Sequence, residues 1–169
     1  MKKLITLIIG IIFTLIPLTE ITAQSKVAHI NTQELISEMP EVISAQKELK
    51  KLEEQYAKEL ESSVKEFQTK AQTYAGDAQN QTELINQQRQ SELEGMQQRI
   101  QEFRDTASQE LQKRSAEMMK PLYDKARSAI EKVASAQGFD YVLDSSNGGS
   151  VIMASGKDLS AEVKKELGF

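Results

Sequence analysis

Along most of the chain, apolar or small residues return every three or four positions. In the first half they fall at Leu35, Met39, Val42, Leu49, Leu52, Tyr56, Leu60, Val64, Phe67, Ala71 and Tyr74, with Gln46 completing the spacing. The mean step is about 3.5 residues, between the heptad and the straight-helix repeat, and a strand cannot produce it. No Gly or Pro interrupts between Pro40 and Gly76, and Pro40 suits the first turn of a helix. Away from the stripe, Glu54/Lys58, Glu61/Lys65 and Glu66/Lys70 place Glu one turn before Lys, the favourable order on a solvated face.

A second stripe runs through Ile85, Arg89, Leu93, Met96, Ile100, Phe103, Ala107, Leu111, Arg114, Met118, Leu122, Ala126, Ala129 and Val133. It stops at Gly138, a natural C-terminal cap, and Pro121 inside it predicts a bend or an irregular turn. Between the stripes lies Gly76-Asp77-Ala78-Gln79-Asn80-Gln81-Thr82, which reads as a turn. Folding the chain back about Asn80 sets Leu60 opposite Ile100, Val64 opposite Met96 and Phe67 opposite Leu93. Each arm would then be roughly 60 to 80 Å long at 1.5 Å per residue.

The two ends carry strand signals instead. Lys26-Val27-Ala28-His29-Ile30-Asn31 and Phe139-Asp140-Tyr141-Val142-Leu143-Asp144 are short strand-like runs. Ser145-Ser146-Asn147-Gly148-Gly149 reads as a turn into Ser150-Val151-Ile152-Met153-Ala154, so a β-hairpin is expected there. Asp158 or Ser160 caps a short last helix with an apolar face of Leu159, Val163 and Leu167. Short strands are marginal unless they share a sheet, and a single rod would hold them about 150 Å apart. A chain doubling back near Asn80 brings them together.

The fold class is therefore mainly α: a long antiparallel helical hairpin, a coiled-coil arm, over residues 35–137 with its tip near 76–82. It stands on a small β-rich body from 24–34 and 138–169. That body is too small to hold a core alone, so several copies are expected to pool their strands. Val27, Ile30, Tyr141, Val142, Leu143, Val151 and Ile152 are the candidate oligomerisation positions.

Ahead of this lies a cationic Met1-Lys2-Lys3, an apolar run from Leu4 to Ile16, Pro17 and a polar stretch ending at Ala23. That is the order of an export signal, 1–23, with cleavage expected after Ala23 and a periplasmic destination. The run is shorter than the ~20 residues of a membrane-spanning helix.

Composition sharpens this picture. There is no Trp and no Cys, and aromatics make up 5%, too few bulky residues for one compact core of this length. A net charge of −4 argues against a nucleic-acid binder, which would normally show a basic patch. His29 is the sole histidine, so no usual triad or zinc set can be completed, and no cofactor is expected. The Ser145–Gly149 stretch lacks the lysine and following helix of a phosphate loop. Seam residues such as Tyr56, Phe67, Tyr74, Met96 and Phe103 are expected to pack helix on helix. Ile43, Leu84 and Met119 lie off the seam and are the candidate client contacts.

At these residues the chain resembles the Skp/OmpH family of periplasmic holdase chaperones. Lys26–Asn31 is similar to the family's first strand. Val133-Ala134 followed by Asp140, Val142 and Asp144 is similar to the family's V-A-x-x-x-x-x-D-x-V-x-D strand entry, and Lys157–Val163 to its last helix. The resemblance implies a homotrimer whose strands form a small barrel, with three helical arms enclosing unfolded outer-membrane proteins without ATP. A sequence pI near 5.2 departs from the family's basic character and leaves contact with lipid or lipopolysaccharide open. The rival reading from the same elements is a coiled-coil spacer or adaptor of the cell envelope.

Overall fold

The computed structural model describes residues 25–147 and 151–169. The expected export signal 1–23, its cut after Ala23, and Gly148-Gly149 of the expected turn lie outside the described residues. The elements in chain order are β1 (Val27–Ile30), α1 (Thr32–Glu38), α2 (Pro40–Asp77), a 3₁₀ turn (Ala78–Asn80), α3 (Glu83–Ala136), β2 (Tyr141–Asp144), β3 (Lys157–Asp158) and α4 (Ser160–Leu167). The protein is mostly helical, with two long helices and a small three-stranded sheet.

Helix α1 is an element that periodicity alone runs into α2. Asn31 starts it by reciprocal capping: its Oδ1 accepts from the Glu34 N–H at 3.0 Å, and its Nδ2 donates to Glu34 Oε2 at 3.3 Å. The helix stops at Met39, whose ψ of 123° is extended. A residue before proline is pushed out of the helical region, and Pro40 then opens α2 as expected. Met39 and Leu35 stay in the buried stripe across this break.

At the other end of α2 the chain turns through Ala78–Asn80, and the Thr82 hydroxyl caps α3 by accepting from the Ile85 N–H at 3.3 Å. Helix α3 runs uninterrupted through Pro121, so the expected irregular turn does not form. A proline removes one ladder bond, and the buried Ala126, Ala129 and Val133 just beyond it anchor the continuing helix. Gly138, at φ 71°, ends it: Gly138 N–H donates to Ser135 O at 3.1 Å and Phe139 N–H to Ala134 O at 3.0 Å. Both bonds of a Schellman cap are present.

Side chains of α2 and α3 meet at widely separated sequence positions. Lys125 Nζ lies 2.6 Å from Glu41, Arg114 2.9 Å from Glu48, and Lys70 2.6 Å from Glu92. The paired numbers sum to 166, 162 and 162 against the 160 of the expected mirror. At 1.5 Å per residue the two helices are about 57 and 81 Å long. The stripe is displaced at one step, because Ala45 is buried where the spacing points to Gln46.

The sheet order is β2-β1-β3, and both neighbours of β1 are parallel to it. Val27 pairs with Tyr141, Ala28 with Val142, His29 with Leu143 and Ile30 with Asp144, so the two chain ends do share one sheet. The expected hairpin is overturned. Strand β3 is Lys157–Asp158, and Val151 and Ile152 lie outside any strand. The strand that follows β2 pairs instead with β1, on the side away from β2, a crossing that a tight two-strand turn cannot make.

The core lies beneath this sheet. Ala28 and Ile30 of β1 meet Leu35, Met39, Val42, Ala126, Ala129, Val133 and Ala134, with Leu159 and Val163 closing from the C-terminal end. Each fully buried Leu, Ile or Val contributes about 1.5–3 kcal/mol. The roots of both long helices therefore supply much of the core, beyond the expected limits of 24–34 and 138–169. Helix α4 is placed by its apolar face as expected; its N-cap is Leu159 rather than Asp158 or Ser160, with Asp158 Oδ1 accepting from the Ser160 N–H at 2.8 Å just ahead of it.

Candidate functional site

Alternation along the strands divides the sheet into two faces. Ala28, Ile30 and Val142 face the core. Val27, Tyr141 and Leu143 are exposed, with Tyr141 at 60%. The register brings Val27 beside Tyr141 and Leu143 beside His29, so the outer face gathers three exposed apolar side chains, with His29 and Asp158 on its β3 side. The seven candidate oligomerisation residues thus separate. Ile30 is buried in its own chain and Val142 packs partly against the same core. Val27, Tyr141 and Leu143 form the outer face, Val151 is half-buried, and Ile152 is fully exposed.

Beside the free edge of β2 runs an open groove of about 820 Å³. Leu35 and Ile36 of α1, Tyr123 and Ile130 of α3, and Phe139 and Val142 form its apolar lining. Sequence reading passed over Tyr123, Ile130 and Phe139 here. The signal was available in the spacing of Tyr123, Arg127 and Ile130, a second helical row beside the main stripe.

Asp144 locks the corner between β2 and α1. Its Oδ1 accepts from Thr32 N–H at 3.2 Å and from Ser146 N–H at 3.0 Å, and its Oδ2 accepts from the Thr32 hydroxyl at 2.6 Å. Burial pushes this carboxyl up, but the bonds from Thr32 and Ser146 outweigh it and hold the group below its ordinary value. His29 Nδ1 lies 3.4 Å from Ser145 Oγ, a contact that ties β1 to the chain leaving β2.

On the arms, the three candidate client residues part company. Leu84 is 64% exposed beside the capping Thr82, and Ile43 is exposed on α2. Met119 packs partly against the body core and is not a free contact. Ile85, exposed next to Leu84, belongs with it at the tip.

The tip is held by polar groups where a seam residue would be apolar. Arg89, an anomaly in the second stripe, lies with its guanidinium 4.7 Å from the Tyr74 ring centre and donates to Asp77 Oδ2 at 3.1 Å. The Tyr74 hydroxyl donates to Glu92 Oε2 at 2.6 Å, and Lys70 holds the other Glu92 oxygen. The Arg89 bond, with Asn80 and Gln81, keeps Asp77 below its ordinary value; Lys70 and then Tyr74 do the same for Glu92. Arg114, the second basic residue in the stripe, pairs with Glu48 in the same way.

Among the described residues no group of three or more His, Cys, Asp or Glu side chains is placed to hold a metal ion, and no helix is long and apolar enough to cross a membrane. What the molecule presents is surface: an open sheet face and edge at one end, and long helices reaching away from it. That is the construction of a carrier or scaffold. The family model for outer membrane protein (OmpH-like) matches residues 26–167, and the chain belongs to that family. Its fold is similar to the crystal structure of a proposed OmpH-like outer membrane chaperone from Caulobacter crescentus CB15. The TM-score is 0.74 at 15% identity, over 86% of this chain and 85% of the other. No curated protein matches the sequence.

Proposed function

We propose that the protein is an ATP-independent periplasmic holdase that encloses unfolded outer-membrane proteins and keeps them from aggregating. In this reading α2 and α3 form an antiparallel hairpin arm, residues 1–23 direct export and are removed, and three copies join through their β-bodies to set three arms around a common space. The observation that carries it is the open outer face of the sheet, Val27, Tyr141 and Leu143, on a body from which two very long helices extend. Burial of that face joins copies; the arms are then free to act on something else. Membership of the OmpH-like family supports the same reading.

Clients are held by many weak contacts rather than in a pocket. Leu84, Ile85 and Ile43 offer apolar patches scattered on a charged helical surface, suited to chains with no fixed shape. The test is light scattering from an unfolded outer-membrane β-barrel protein diluted out of denaturant. Aggregation is suppressed at one assembled cage per client, with no nucleotide present. Unchanged scattering at that ratio rejects the proposal, and a stiff rod in small-angle scattering favours the envelope spacer instead.

A further inference from the structure

His29 is the chain's sole histidine, and it stands in the middle of the outer sheet face. It lies half-buried on β1, the central strand, level with Leu143 of β2 on one side and Asp158 of β3 on the other. Val27 precedes it on the same face, with Tyr141 beside Val27, and all three apolar neighbours are exposed. Packing alone would favour an aliphatic residue at such a position. An imidazole is instead the side chain whose charge ordinarily changes between pH 5 and 8.

The groups around His29 decide what that charge does. On the β3 side, Asp158 Oδ1 already accepts from the Ser160 N–H at 2.8 Å and from the Ser160 hydroxyl at 2.7 Å. Lys157 is held by Glu162 of α4. Burial pushes Asp158 up, but the Ser160 bonds, with His29 and Lys157 nearby, outweigh it and hold the group below its ordinary value. Asp158 is therefore a carboxylate throughout the range in which a histidine titrates. On the β2 side, Ser145 Oγ lies 3.4 Å from His29 Nδ1, Tyr141 contributes a phenol, and Asp144 is engaged by Thr32 and Ser146. On its own strand, the Lys26 N–H is bonded to Asp140. Beneath the sheet, the core against α1, α3 and α4 buries no charged side chain among the described residues.

From this placement we infer that His29 is a pH-sensitive gate on self-assembly: neutral, it lets the outer faces of neighbouring copies close, and protonated, it holds them apart. This rests on the reading that copies join through their β-bodies, and deepens it by giving that assembly a control. In a separate chain the open side of the ring meets water, with Asp158 beside it, and a proton is accommodated. In joined chains the water is replaced by apolar side chains, and the neighbouring carboxylate is already engaged. An imidazolium would then be sealed among Val27, Tyr141 and Leu143, each copy adding one charge of the same sign. Joined chains thus bind fewer protons than separate ones, so association strengthens as pH rises and weakens as it falls. The limit is about ten-fold per pH unit for each His29 enclosed. Net charge works the other way: acidification towards the pI near 5.2 reduces repulsion between copies.

The test is sedimentation of the chain without residues 1–23, at one concentration, at about pH 7.5 and about pH 5.8, a span that brackets histidine and leaves carboxylates ionised. Wild type should be joined at the higher pH and lose association by roughly ten-fold or more at the lower. His29→Phe and His29→Gln should keep the same mass at both. The Gln variant, polar and uncharged, guards against a Phe variant that joins more tightly merely by being apolar. With one histidine in the chain, its imidazole proton resonances can be followed in wild type itself. They should keep the neutral position while chains are joined and shift only where the mass falls. Wild type of unchanged mass at the lower pH, or both variants dissociating alongside it, overturns the inference and leaves assembly standing. Wild type sedimenting as one chain at the higher pH overturns the assembly reading and the gate together.

Discussion

Tyr56 and Phe103 meet edge to face across the two long helices, their ring centres 6.0 Å apart and their planes at 79°. They come from opposite stripes, one from each long helix. An edge-to-face pair is worth about 0.5–1.5 kcal/mol beyond the area it buries. Removing either ring should loosen the middle of the arm without touching the body. In urea denaturation, a Tyr56→Ala, Phe103→Ala double-mutant cycle should show a coupling of about 1 kcal/mol. A coupling near zero would mean that the rings pack independently.

The tip offers a different kind of closure. Asp77 and Glu92 are held below their ordinary values by Arg89 and by Lys70 with Tyr74. A carboxyl whose value is depressed by folding adds stability at pH above its unfolded value, and that contribution is lost as pH falls through the folded value. Amide exchange protection over residues 74–92 should therefore be flat above about pH 5 and fall below about pH 4. The Asp77→Asn variant should already show the loosened tip at neutral pH and a weaker acid response. Raised salt should act in the same direction, more on the exposed Lys70–Glu92 pair than on the partly covered Arg89–Asp77 pair. Protection that is unchanged down to pH 3 would show that the clasp does not hold the tip.

Two glycines should respond in opposite directions. Gly138 sits at φ 71° in the cap that ends α3, where a side chain is strained even though the nearest atom to an added Cβ is Lys26 Nζ at 4.0 Å. Gly138→Ala should cost about 1 kcal/mol, read as a Tm lowered by several degrees. Gly76 lies within α2 with nothing within 4 Å of an added Cβ. Gly76→Ala should raise helix stability by about 0.5–1 kcal/mol. Equal effects would mean that backbone conformation does not decide these sites.

The parts of the fold that sequence makes legible are those with a long repeat or a forced backbone. Stripe residues Leu35, Met39, Val42, Met96, Ala107, Ala126, Ala129 and Val133 are buried, and Gly138 ends α3 where expected. Short elements decided by competition are less legible. The capping pair Asn31 and Glu34 was present as a signal, but the stripe runs on through Met39 and hides the break that Pro40 imposes. Val151–Ala154 is a better strand by composition than Lys157-Asp158. The sheet takes the latter because Lys157-Asp158 leads directly into α4, whose Leu159 and Val163 are drawn into the core. The groove was hidden for a further reason: its walls come from α1, α3 and β2, distant in sequence, and no local pattern marks their meeting.

Asp144 joins the body together more than its exposed position on β2 implies. Its carboxylate takes two N–H donors and one hydroxyl, and so fixes both the start of α1 and the departure of the chain after β2. Asp144→Ala leaves the Thr32 donors unmet at the first turn of α1, the loss of a helix cap, and should cost about 1 kcal/mol. Asn in the same place keeps the shape and an acceptor but not the charge, so Asp144→Asn should recover part of that loss. Because folding depresses this carboxyl, wild type should lose the contribution as pH falls below about 4, whereas the Ala variant should not. The difference in unfolding free energy between wild type and Asp144→Ala, followed by denaturation from pH 7 to pH 3, should therefore shrink towards zero. A constant difference would assign the effect to packing rather than to the charge.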